Sequence, residues 1–269
     1  MILTRRQVLT GAAALVALAG VRSARAQAPP ATAGPADPKL IEDLVAANRI
    51  LVDQGVVDGY GHVSVRHDKT ADRYLMSRSI APELVTAADI MEYDLDSTPV
   101  DARGRAVYLE RFIHGEIYRV RPDVQAIVHN HSPSVIPFGV TGAPLRPLYH
   151  MSAFLSTGVP VFDIRQASGG MTDMLVRNAA LGQSLARTLG PRPVALMRGH
   201  GAVVVAGSLP VVVFRSVYTE VNARLQAQAM ALGGNVTYLD PEEARQAEAS
   251  LAGTIGRPWE LWKRKALAR

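Results

Sequence analysis

The sequence predicts a layered domain of mixed α and β structure, of the α/β or α+β class, and three observations carry that prediction. Short apolar runs of strand length alternate with longer stretches whose apolar residues recur at helical spacing. No internal repeat breaks this alternation. The chain has 269 residues, 48% of them hydrophobic, which suffices for one sizeable core and makes one main domain the expectation.

The N-terminus does not belong to that domain. Thr4-Arg5-Arg6-Gln7-Val8-Leu9 precedes the apolar run from Ala12 to Val21 and the small-x-small sequence Ala24-Arg25-Ala26. This is the pattern of a twin-arginine signal peptide over residues 1–26, and it predicts a periplasmic protein. The rival reading is a membrane anchor, but the apolar run falls short of the roughly 20 residues that span a bilayer, so no stable insertion is expected once the signal is removed. The segment carries Arg5, Arg6, Arg22 and Arg25 and no acid. Without those four, 29 basic residues become 25 against 24 acidic ones, a net of +1. The high pI therefore belongs largely to the signal, and no basic face remains to argue for nucleic acid. Cysteine is absent, which excludes disulfides and thiolate metal sites and leaves His, carboxylate and water as metal ligands.

Residues 27–38 are rich in Ala and Pro and read as a flexible lead-in to a domain over 39–269. Leu40, Ile41, Leu44, Val45, Ile50 and Leu51 then predict a helix from Pro38 to about Gln54. Gly59-Tyr60-Gly61 turns into a strand through His62 to Arg66, with Arg73 to Ser77 as its hairpin partner and Ile90 to Leu95 as a further strand. Glu110 to Val120 reads as a helix closed by Pro122, with Phe112, Ile113, Ile117 and Val120 on one side. Val124 to His131 is a buried strand, and Ser132-Pro133-Ser134 starts a short helix. A strand over Val159–Ile164 and a helix over Thr172–Thr188 follow. Pro193–Met197 and Ala202–Ala206 are apolar strands joined by Arg198-Gly199-His200-Gly201, whose glycines permit a tight turn with His200 at its tip. Helices over Leu209–Leu232, Pro241–Leu251 and Trp259–Leu267 complete the chain.

The chemistry centres on His129 and His131. Side chains two apart on a strand share a face, so both imidazoles can reach one ion. The plainer alternative is a pair of histidines that hydrogen-bond near a strand end. Taken with Glu110 at the start of one helix and His200 in a later turn, the pair resembles the metal set of the class II aldolase/adducin family. Tyr108-Leu109-Glu110, Arg121-Pro122-Asp123, His129-Asn130-His131-Ser132-Pro133 and Gly199-His200-Gly201 match that family in order and spacing, from about residue 40 to 240. The resemblance implies a three-layer α/β fold, with a central, mainly antiparallel sheet and helices on both sides. It also implies a homotetramer with sites between subunits, and one divalent ion held by His129, His131 and His200.

Sugar-phosphate aldolases of that family hold phosphate with a Gly-Asn pair, a Thr-Gly or Ser-Gly turn and two serines before the Glu. This chain has Gly61-His62, Arg78-Ser79 and Tyr108-Leu109 at those places. The substitutions resemble the branch that decarboxylates hydroxylated aromatic or pyridine dicarboxylates, which implies a small anionic, non-phosphorylated substrate. In that reading Arg78 takes a carboxylate bidentately, and His62, Ser79 and Tyr108 line the substrate site. Glu110 is expected to shuttle protons and to ligate the ion when substrate is absent, although a helix-start carboxylate favoured by the dipole is the simpler account of it. An ordinary surface ion pair is the simpler account of Arg78. His150 reads as a core histidine, His67 and His114 as structural or surface residues, and Trp259 with Trp262 as a packing face. Zinc, manganese, iron and cobalt all suit three imidazoles and a carboxylate. Two other functions stay open: an aldolase or epimerase acting on a non-phosphorylated substrate, and a non-catalytic adducin-like module.

Overall fold

A computed structural model of the protein describes residues 29–268, so the twin-arginine segment lies outside the described residues. Helix α1 (Pro38–Asp53) starts where Asp37 accepts the Lys39 amide and Pro38 takes the first turn. Residues 29–37 before it have no regular structure, yet Thr32 Oγ1 and the Ala33 amide both donate to Glu92.

Seven strands form one sheet: β1 (His62–Arg66), β2 (Arg73–Ser77), β3 (Ile90–Asp94), β4 (Ala126–Asn130), β5 (Val161–Phe162), β6 (Val194–Met197) and β7 (Gly201–Ala206). Their order is β3-β2-β1-β4-β7-β6-β5, and every pairing is antiparallel except β5 with β6. The central, mainly antiparallel sheet is thus as expected. β4 lies in mid-sheet and is buried on both faces, which is why Ala126, Ile127 and Val128 run apolar without alternation before His129 and Asn130 at its end.

Side-chain alternation sorts the core into two layers. On one face Val63, Val65, Val128 and Val204 pack with Leu44 and Ile50 of α1 and with Val212 and Phe214 of α6 (Leu209–Ala231). On the other, Ile127, Val203 and Val205 pack with Ile113 and Ile117 of α2 (Phe112–Val120) and Leu185 of α5 (Ala179–Leu189). Helices α3 (Ile136–Val140), α4 (Ile164–Ser168), α7 (Pro241–Ala252) and α8 (Gly256–Leu267) complete the set, and Trp259 of α8 is buried on the first layer as a packing residue. Among the described residues no helix is long and apolar enough to cross a membrane.

Several boundaries differ from the sequence reading. The helix expected over Thr172–Thr188 begins only at Ala179, because Asn178 caps it by accepting the Leu181 amide. Residues 170–178 run irregularly and pass Met174 at φ 71°. The strand expected over Val159–Ile164 shrinks to two residues. The helix expected from Glu110 opens as a 3-10 turn, Leu109–Arg111, with Glu110 at φ −89°, ψ 15°. A 3-10 segment at His150–Thr157 had no counterpart in the sequence pattern. The short helix after Ser132-Pro133-Ser134 starts at Ile136, since both serines are engaged elsewhere.

Candidate metal centre

Four side chains from three separate parts of the chain meet at the end of β4. His129 is the fourth residue of that strand, and His131 follows just past its end on the same side. His200 comes from the turn between β6 and β7, and Glu110 from the 3-10 turn before α2. One ligand atom from each lies within 4.8 Å of all the others. His131 Nε2 is 3.2 Å from His129 Nε2 and 3.0 Å from His200 Nε2, while Glu110 Oε2 is 3.4 Å from the Nε2 atoms of His129 and His200.

The outer contacts turn these atoms inward. His129 Nδ1–H donates to the Ala202 carbonyl at 3.2 Å and His200 Nδ1–H to the Met174 carbonyl at 3.1 Å. Each bond leaves the Nε2 lone pair facing the cluster, the arrangement a metal-ligating imidazole needs. The Val176 amide donates to Glu110 Oε1 at 2.9 Å, which leaves Oε2 for the centre. Burial, then the neighbouring imidazoles, lower the His131 pKa to about 4. Burial works against ionisation of Glu110, but His129 and His200 outweigh it and hold the carboxyl well below the usual carboxylate range. Burial also disfavours the charged form of His200, but its hydrogen bond to Glu110 and the carboxylate charge leave it raised. Imidazole nitrogens and an ionised carboxylate converging on one point fit a divalent ion.

A cavity of about 320 Å³ opens beside the cluster. His62, Ser79, Tyr108, Glu110, His129 and His131 line it, together with the apolar Tyr60, Leu109 and Leu175. All the positions expected to line a substrate site therefore converge here except Arg78. That arginine is outside the lining, and its Nε donates to Asp89 at 2.6 Å. The ion pair given above as the simpler account of Arg78 is the contact the fold makes. Tyr108 contributes its ring, because its hydroxyl donates to the Ile80 carbonyl at 2.5 Å.

Other residues matter that the sequence reading missed. Glu220 of α6, 6% exposed, accepts from Ser132 Oγ, Ser134 Oγ and the Ser134 amide, and so pins the turn that follows His131. Met174 and Val176 act through backbone atoms, which no side-chain pattern reveals. His114, expected to be structural or surface, is wholly buried against His62. His150 is exposed and lines a separate, apolar cavity with Phe154 and Phe214, so it is neither a core histidine nor part of this site.

Residues 42–227 match the Class II Aldolase and Adducin N-terminal domain. The chain belongs to the class II aldolase and adducin family. It is 37% identical over 247 residues to decarboxylase tropJ of Talaromyces stipitatus, covering 84% of this chain and 93% of that protein. It is 33% identical over 210 residues to 3,4-dihydroxyphthalate decarboxylase of Arthrobacter keyseri, covering 72% and 79%. Among solved structures, L-fuculose 1-phosphate aldolase from Glaciozyma antarctica PI12 superposes with a TM-score of 0.70 at 24% identity, covering 85% of this chain and 88% of the aldolase, which shows the shared fold. The two sequence relatives are decarboxylases by name, so this member of the class II aldolase and adducin family stands beside lyases that break carbon–carbon bonds.

Proposed function

We propose that the protein is a metal-dependent lyase that decarboxylates a non-phosphorylated, hydroxylated aromatic or heteroaromatic carboxylate or dicarboxylate. The observation that carries this reading is the cavity itself: a cluster that could hold an ion borders it, with an imidazole, one hydroxyl and apolar walls at the places that correspond to the phosphate cradle of the sugar-phosphate aldolases. The decarboxylase relatives support the same choice.

His129, His131 and His200 would hold the ion, with Glu110 as a fourth ligand until substrate arrives. When bound, the ion supplies a Lewis acid for two adjacent substrate oxygens and a sink for negative charge. Glu110 Oε2, ionised in the resting site, takes the proton of the substrate hydroxyl. The bond to the carboxyl carbon then breaks, its electron pair stays on the ring carbon, and Glu110 returns the proton to that carbon as CO2 leaves. The product oxygen regains a proton from water on release. Tyr60, Leu109 and Leu175 offer apolar contact to an aromatic ring.

The deciding experiment incubates metal-loaded protein with hydroxylated aromatic dicarboxylates such as 3,4-dihydroxyphthalate and, separately, with sugar phosphates. CO2 release from the aromatic acids alone is the expected result. Aldehyde from a sugar phosphate at a comparable rate would replace this reading with aldol cleavage, and inertness of the loaded protein towards both would favour the binding module. The same proposal includes export: Arg5 and Arg6 both changed to Lys should hold the protein in the cytoplasm, and unchanged export would refute it.

A further inference from the structure

Behind the cavity wall a line of buried side chains runs away from the metal centre. His62 Nδ1 faces His114 Nε2 at 2.7 Å, His114 Nδ1 faces Ser64 Oγ at 2.6 Å, and Ser64 Oγ faces Tyr118 Oη at 2.9 Å. All four residues are at most 3% exposed, and among the described residues no carboxylate or cation hydrogen-bonds to any of these side-chain atoms. β1 supplies His62 and Ser64, two apart and therefore on one face, and α2 supplies His114 and Tyr118, one helical turn apart.

The direction of the hydrogen bonds follows from where the Tyr118 proton can go. Its two acceptors are Ser64 Oγ at 2.9 Å and the Gln125 carbonyl at 3.5 Å, and that carbonyl already receives the Arg66 amide at 2.8 Å. An O–H···O bond is strong at 2.5–3.0 Å, so Tyr118 donates to Ser64. The serine proton must then go to His114 Nδ1. His114 therefore carries its proton on Nε2 and donates to His62 Nδ1, and the single proton of His62 is left on Nε2. That nitrogen has no protein partner among the described residues, and His62 lines the cavity.

We propose that Ser64 and His114 are positioning residues that hold His62 as its Nε2–H tautomer, so that it offers a neutral hydrogen-bond donor to an anionic oxygen of the substrate. The proposal rests on the cavity being the substrate site. It also answers what binds such an oxygen when Arg78 is turned to Asp89 and the Tyr108 hydroxyl is spent on Ile80. A neutral donor suits this place: a second cation beside an ion and three imidazoles would be repelled, whereas an N–H dipole is not.

Ring nitrogen correlations in zinc-loaded protein labelled with 15N-histidine read the tautomer directly, with the His62 signals assigned by their loss in His62→Gln. Wild type should show His62 protonated at Nε2 and bare at Nδ1. Ser64→Ala removes the donor to His114 and should bring in an Nδ1-protonated population, with KM for an accepted hydroxy-aromatic acid raised roughly tenfold or more, the worth of one hydrogen bond to a charged group. The kcat and zinc content should stay near wild type. Tyr118→Phe should keep the wild-type tautomer, because Ser64 can still donate to His114; a merely structural role would lower the melting temperature in both variants and move the tautomer in neither. His62 bare at Nε2 in the wild type, or Ser64→Ala with unaltered tautomer, would overturn the assignment. Because the tautomer is read without substrate, this outcome is independent of whether the decarboxylase reading holds.

Discussion

Gly201→Ala should dismantle the metal centre without touching a ligand. Gly201 opens β7 directly beside the end of β4, and a Cβ there would lie 1.9 Å from the Asn130 carbonyl oxygen, 2.9 Å from its carbon and 3.0 Å from His131 Cα. Those are backbone atoms and cannot swing aside. To reach even 3.0 Å from the oxygen, one strand end must retreat by about 1.1 Å. The moving parts are the turn that carries His200 and the segment that carries His131, whose Nε2 atoms stand 3.0 Å apart. Metal–ligand distances tolerate about ±0.2 Å, so a shift near 1 Å exceeds the tolerance several-fold. Overpacking of this kind costs about 1–3 kcal/mol, which for a domain of this size lowers the melting temperature by roughly 2–12 °C. Metal affinity should fall at least about 10–100-fold, the usual loss when ligand orientation is disturbed. Metal content after dialysis against a weak chelator, together with calorimetry, measures both effects. Gly207→Ala is the control, since its Cβ would meet only the Asp123 carbonyl at 3.9 Å. A Gly201→Ala protein with wild-type metal content and melting temperature would refute the claim that this close approach sets the ligand geometry.

His200→Ala should lose most of its metal while staying folded, and full metal content in that variant would remove the turn histidine from the ligand set. Glu110→Gln should cut kcat by about 10²-fold or more with a much smaller change in KM, as expected for a proton-transfer group; a change confined to KM would argue for an anchoring role. Glu220→Ala leaves two serine hydroxyls and an amide without their acceptor, so it should destabilise the fold by about 3 kcal/mol and weaken metal binding, measured by thermal unfolding with and without added ion. Unchanged stability would mean that the turn after His131 holds itself.

Much of this protein is legible along the chain because its local signals agree with its tertiary packing. α1 follows from Asp37, Pro38 and the spacing of Leu44, Ile50 and Leu51, and β4 from an apolar run that only a mid-sheet strand can bury on both faces. The cluster of His129, His131, His200 and Glu110 was legible for a related reason: a His-x-His on a strand, a turn His between glycines and a Glu before a helix each put a distinctive residue type at a fixed place, and the fold brings the four together. What the chain could not disclose depends on atoms far apart in sequence or on the backbone itself. The helix expected from Thr172 starts seven residues later, and the residues ahead of it give the Met174 carbonyl to His200 and the Val176 amide to Glu110. Arg78 reads as a carboxylate clamp until folding places Asp89 against its Nε, 11 residues away in sequence. His114 reads as an ordinary helix residue until α2 packs on β1 and brings it to 2.7 Å from His62. Side-chain identity determined which groups this protein can use. Only the closing of the sheet and its helices decided which of them face the cavity, because a hydrogen bond or an ion pair depends on distances of about 3 Å that chain spacing does not set.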